Sequence, residues 1–174
     1  MLRHSERSPP EDRVRQYLLP VLAFSLAACG GGSASAPAPS LAASTPEGAV
    51  RLFFQAVADS NVTEMSRLWG TGSGPASVTG KPDDYVRRLE VTQLFLRNSP
   101  YRVTGTTPVQ GDRDRRQVQL ELDRTDIDGK RCARNLSVVV VNTGKHGWIV
   151  EAMDLTQAGT PGRSCTGGAT STQN

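Results

Sequence analysis

Three thiols, at Cys29, Cys132 and Cys165, are the strongest candidates for covalent chemistry in this chain of 174 residues. A thiolate can be alkylated, can pair with a second thiol, or can ligate a metal. Their settings differ. Cys29 follows Leu26, Ala27 and Ala28 at the end of a short apolar run. Cys132 opens an apolar strand pattern, and Cys165 lies 33 residues later in a polar tail. General acid–base chemistry has little to draw on. The histidines are His4, near the N-terminus, and His146, in a Gly-Lys-His-Gly turn where a solvated ring is the ordinary outcome. No spacing of His, Cys, Asp and Glu suits a metal, so neither a metal nor another cofactor is expected. The chain also has no glycine-rich strand-to-helix turn for phosphate and no plausible Ser/His/Asp set.

What positions Cys29 is the segment before it. Arg3, Arg7, Arg13 and Arg15 make a basic, mixed-charge leader, and Tyr17 to Ala28 is mostly apolar, broken by Pro20 and Ser25. At 1.5 Å per residue that run spans roughly 18 Å, short of a hydrocarbon core about 30 Å thick. It therefore reads as an export signal rather than a membrane-spanning helix. Leu26-Ala27-Ala28-Cys29 resembles the bacterial lipobox. That resemblance implies cleavage after Ala28, lipid on Cys29 and a mature domain held to the cell envelope by its N-terminus. Gly30, rather than an aspartate, follows the cysteine. In a host with two membranes this resembles the pattern passed to the outer membrane, facing the periplasm.

The expected organisation has four parts. Residues 1–28 are the signal, and 29–44 are a tether of Gly, Ser, Ala and Pro, too poor in apolar surface to offset its conformational entropy. One domain fills 45–157, and 158–174 is a polar tail. The net charge of +3 loses meaning once the leader goes, because four arginines leave with Glu6, Glu11 and Asp12. Basic residues in the remainder are interleaved with acids, as in Asp112-Arg113-Asp114-Arg115-Arg116, and aromatics are scarce. No nucleic-acid partner is expected from such a pattern.

With Cys29 lipidated, an even pair of cysteines remains in an oxidising compartment. Cys132 and Cys165 then either form a bridge, stapling the tail across the sheet, or stay as two thiols, one buried and one exposed.

The domain opens with helical spacing. Thr45-Pro46-Glu47 offers an N-cap hydroxyl, a preset first-turn proline and an early acid, and Val50, Phe53, Phe54 and Val57 share one face. Asn61 to Glu64 has the capping-box spacing for a short second helix, with Met65, Leu68 and Trp69 inward and Gly70 as its stop. A loop is expected over 71–81. Pro82-Asp83-Asp84 starts a third helix, whose stripe is Tyr85, Leu89, Thr92 and Phe95 or Leu96. After Pro100 the period becomes two. A strand from Tyr101 meets Pro108, which ends it or places it on an edge. Val118, Leu120 and Leu122 then alternate with Gln117, Gln119 and Glu121. Asp128-Gly129 marks a hairpin, 133–141 is the most apolar strand, and 148–155 is the last. Three helices followed by four antiparallel strands is an α+β order.

The opening Thr45-Pro46-Glu47-Gly48-Ala49-Val50-Arg51-Leu52-Phe53-Phe54-Gln55-Ala56-Val57-Ala58-Asp59 is similar to the first helix of NTF2-like (SnoaL-type) cone domains. Gly147 to Leu155 resembles their final strand, and order and length match over 45–156. The resemblance implies three helices packed on a curved antiparallel sheet of about four strands, enclosing a pocket. It also implies a range from isomerases and lyases to members without chemistry, and a fold alone assigns none of these. In steroid-isomerase relatives an acidic base faces a tyrosine-type oxyanion donor. Asp154 and Tyr85 are the corresponding candidates here, with Asp59 a weaker substitute. An Asp154–Arg134 pair near the cone mouth is the alternative role for that acid. The expectation is a non-catalytic module that binds a small apolar ligand or an envelope partner. A lyase or isomerase in the pocket is the other reading. Related domains often form homodimers through the outer sheet face, which Gln117, Gln119 and Glu121 do not forbid.

Overall fold

The computed structural model describes residues 42–165. The expected signal, its cleavage site at Ala28, the lipidation site at Cys29, the tether up to Leu41 and the tail beyond Cys165 lie outside the described residues. No helix among those described is long and apolar enough to cross a membrane.

Helix α1 (Pro46–Ala58) starts as its sequence dictates. Thr45 is extended, and its hydroxyl accepts the Gly48 N–H at 3.0 Å. Val50, Phe53, Phe54 and Val57 are all buried on one face. Helix α2 (Val62–Leu68) uses half of its capping box. Asn61 Oδ1 accepts the Glu64 N–H at 2.9 Å, but the Glu64 carboxylate turns to Arg67. The Asn61 N–H goes to the Ala56 carbonyl instead. Gly70 is not the helix stop. Trp69 is already extended and pairs in parallel with Val150, and Gly70 opens β1 (Gly70–Thr71). A side chain at Gly70 would run into the Gly74 carbonyl of β2 (Gly74–Pro75), so its size is what matters there.

The expected loop over 71–81 is therefore ordered, as this two-stranded turn followed by the single turn α3 (Ala76–Thr79). Helix α4 (Tyr85–Leu96) begins three residues after Pro82, whose carbonyl accepts the Tyr85 N–H. Asp84 holds the N-cap position without capping, because its carboxylate is taken by Arg88 at 2.8 Å. Leu89, Thr92 and Leu96 are the buried stripe.

Four strands, β3 (Tyr101–Val109), β4 (Asp112–Thr125), β5 (Arg131–Asn142) and β6 (Trp148–Met153), form an antiparallel sheet in chain order. Pro108 sits on β3, an edge strand, where its missing N–H costs no ladder bond. Register shifts occur in β3 between Val103 and Gly105, and opposite Val139 and Val140 in β6. Such bulges bend a sheet and deepen its twist. The curved inner face carries Val118, Leu120 and Leu122 beside Leu136, Val138 and Val140, with Leu120 directly opposite Leu136. Phe53, Met65, Leu89 and Leu96 from the helices complete one core. Each of these large side chains contributes about 1.5–3 kcal/mol by leaving water.

Strand β6 ends at Met153 rather than Leu155, because Asp154 to Ala158 turns back on itself. Gln157 Oε1 then accepts the Ser137 N–H at 3.0 Å, extending the edge of β5 beyond its partner strand. At the other end of β6, Ala43 pairs with Trp148, whose N–H donates to the Ala43 carbonyl at 2.9 Å. Ala43 is buried, so the C-terminal end of the segment expected as tether packs on the domain. Gly147 makes room for it: a Cβ there would lie 2.6 Å from that carbonyl.

Candidate functional site

The residues nominated from the steroid-isomerase resemblance do not converge. Asp154 is exposed just beyond β6, and its Oδ1 accepts both the Thr156 N–H at 3.0 Å and the Thr156 hydroxyl at 2.6 Å. Those bonds hold its carboxyl below the ordinary aspartate value, which is the opposite of what a base working near neutrality needs. Arg134 is not its partner, since that guanidinium donates to the Ser164 carbonyl. Tyr85, the first residue of α4, is half-buried and packs against the core. It is not among the walls of the shallow depression that Asp154 shares with Gln117, Ser137 and Val139. Asp59 caps the C-terminal end of α1, and both its oxygens accept from the Gln55 amide. His146 lies in the turn before β6, beside Gly74. No group of three His, Cys, Asp or Glu among the described residues could hold a metal.

The concave face, where the resemblance implies a pocket, is occupied by side chains. Phe53 and Phe54 from α1 lie over it at a ring separation of 6.3 Å, and Tyr101 packs tilted against Phe54 at 4.5 Å. Burial raises the Tyr101 phenol, with the nearby Arg51 charge opposing.

Outside that packing, a depression of about 440 Å³ lies beside Phe54, Leu96 and Tyr101, and two further surface cavities flank α4. The first of these two, about 380 Å³, runs between α4 and the edge of β6 and is walled by Trp69, Val91, Thr92, Met153 and Leu155. Its two carboxylates are already committed. Asp84 pairs with Arg88, and Glu151 accepts two bonds from Arg115, at 2.5 Å from Nε and 2.7 Å from Nη2. Arg115 also binds Asp112, and these two acids lift its guanidinium pKa further. The groove thus offers apolar contact and no free acid. Nearby on α4, Val86, Val91 and Leu94 are 45%, 41% and 48% exposed, an unusual share of large apolar side chains for one short helix.

The second cavity lies at the C-terminal end of α4, where the tail returns. Cys132 and Cys165 are joined by a disulfide, with Cα atoms 5.5 Å apart. The residues ahead of Cys165 dock on the inner end of β4 and β5. Ser164 is buried, and its hydroxyl and carbonyl accept from Arg124 Nε at 3.1 Å and Arg134 Nε at 2.7 Å. The Cys165 N–H donates to Asp126 Oδ1 at 2.8 Å, and Asp126 Oδ2 is buried without a partner. Sequence pattern did not single out Arg124, Asp126 or Ser164 as a cluster. One signal was present: Arg124 continues the inward series Val118, Leu120, Leu122.

No family model matches the chain, and no curated protein does. Among solved structures it is similar to a Xanthomonas campestris protein described as a calcium/calmodulin dependent protein kinase II association domain. The likeness is 13% in sequence with a TM-score of 0.37, over 60% of this chain and 82% of the other. At that level it carries no weight beside the residues themselves.

Proposed function

We propose that this chain is a lipid-anchored envelope protein whose NTF2-like cone domain catalyses no reaction and binds a small apolar ligand in the groove between α4 and β6. One observation carries the binding reading: the groove combines a tryptophan, a valine, a methionine and a leucine with carboxylates that are already paired to arginines, Arg87 being its one guanidinium without an ion-paired acid among the described residues. Its volume of about 380 Å³ lies in the range of small-molecule sites. The filled concave face and the scattered Asp154 and Tyr85 weigh against a lyase or isomerase. The anchor rests on Leu26 to Cys29, and its expected place is the outer membrane, facing the periplasm, where the host has two membranes.

Trp69 gives the test an intrinsic reporter. Titrating the purified chain with a medium-chain alcohol should change tryptophan emission saturably. Val91→Asp, at a partly exposed helix position, should weaken that response about tenfold by placing a charge against the ligand. An unchanged response in Val91→Asp, or none in the parent chain, removes the groove as a ligand site. The anchor is tested separately. Mass spectrometry of the chain from membranes should show a lipid-modified N-terminal cysteine, and an intact Met1 would end that part of the reading.

A further inference from the structure

The second cavity beside α4 differs from the groove in chemistry. It measures about 280 Å³, and its walls include Phe95, Arg97, Asn98, Arg124, Thr125 and Gly162. Two of these are guanidinium groups, and no carboxylate lines the space.

Arg124 is the unusual member. It is 7% exposed, yet no carboxylate of the described residues lies within ion-pair distance of it. Its bonds go to neutral oxygens: Nε to the Ser164 hydroxyl at 3.1 Å, and Nη1 to the Phe95 carbonyl at 2.9 Å and to the Ser99 hydroxyl. Its Nη2 makes no hydrogen bond among the described residues. Asp126, with Oδ1 on the Cys165 N–H and Oδ2 buried without a partner, acts on it electrostatically but makes no ion pair with it and is not a cavity wall. Burying a cation among neutral acceptors leaves much of its desolvation cost uncompensated. An anion reaching the remaining N–H group would supply the missing charge.

The wall opposite α4 is fixed in place. The Gly162 carbonyl accepts the Ile127 N–H at 3.0 Å, and the Cys132–Cys165 bond ties down the chain three residues further on. Arg97, at the end of α4, has an exposed side chain and adds the second charge.

We propose that this cavity is an oxyanion site, in which Arg124 Nη2 and the Arg97 guanidinium bind the carboxylate or phosphate group of a small soluble molecule. The planar fork of arginine suits either group. The Phe95 wall and the tail backbone would take the adjoining apolar part.

The test is calorimetric titration of the purified, disulfide-intact chain with inorganic phosphate and, separately, with acetate in a chloride buffer. Saturable binding of at least one anion is expected, with amide shifts on binding centred on Arg97, Thr125 and Gly162 in NMR spectra. Arg97→Gln, at an exposed position, should weaken binding about tenfold, and Arg124→Lys, which keeps the charge but loses the fork, should weaken it as well. Should Arg124→Lys fail to fold, Arg97→Gln decides alone. Absence of saturable binding by both anions, or equal affinity in Arg97→Gln, overturns the proposal.

Discussion

Helix α4 separates two surfaces built on opposite principles. On the β6 side, apolar walls stand open and every carboxylate is paired with an arginine. On the tail side, a buried arginine hydrogen-bonds to neutral oxygens alone, and the chain folds back to cover it. The first surface has contact area without a demanding polar group. The second has a demanding polar group enclosed by a disulfide-held segment. The contrast shows how one helix can serve two recognition chemistries. Apolar contact tolerates many shapes, whereas an enclosed guanidinium asks for one charge in one place.

The largest test of this contrast is removal of the staple. Cys132→Ser should lower unfolding free energy by about 3–4 kcal/mol, the chain-entropy value for a loop of this length. Denaturant melts under non-reducing conditions would measure it. Hydrogen exchange should then show protection lost over 158–165 while β6 and α4 keep theirs. If alcohol binding at the groove vanished too, the two surfaces would not be independent.

Next in size is Arg134→Gln, which removes the charged donor to the Ser164 carbonyl and should cost about 2 kcal/mol. Loss confined to the tail, read by the same exchange experiment, would sharpen the separation. Val91→Asp works from the other side. It should leave the unfolding midpoint nearly unchanged and reduce alcohol affinity about tenfold, or about 1.4 kcal/mol. A shift in phosphate or acetate binding in that variant would blur the boundary at α4.

The smallest effect concerns neither surface and serves as the control. The Thr106 hydroxyl donates to Glu47 at 2.5 Å, and this bond, more than the Arg51 charge, holds the Glu47 carboxyl below its ordinary value. A depressed folded-state pKa stabilises above the ordinary glutamate value and loses that stabilisation as pH falls through the folded value. Thr106→Val should therefore raise the Glu47 pKa in an NMR titration and flatten the acid limb of stability slightly. Both cavities should keep their binding.

Much of the scaffold could be read from local pattern. Val50, Phe53, Phe54 and Val57 are buried as their spacing requires, Thr45 caps α1, and Leu120 and Leu122 face inward while Gln119 and Glu121 face out. Local pattern failed where a competing partner, near or far along the chain, decides. Asp84 looked like a helix starter but gives its carboxylate to Arg88. Gly70 looked like a helix stop but serves a tight strand crossing. The tail was expected to be polar, either stapled by a Cys132–Cys165 bridge or not tied at all. Its burial depends on Arg124, Asp126 and Arg134, tens of residues earlier. Neither cavity flanking α4 had a signature, because each joins residues from elements separated widely along the chain.

The pairing of Ala43 with Trp148 has a mechanical consequence. Any pull arriving along the backbone from upstream meets that contact before it meets α1, and the contact offers a single peptide hydrogen bond at the sheet margin. It would open like the first tooth of a zip, freeing Ala43 and Ser44 from the sheet margin. Phe53 and its neighbours would feel the load only afterwards. Tension would thus meet this joint first and the buried face of α1 second.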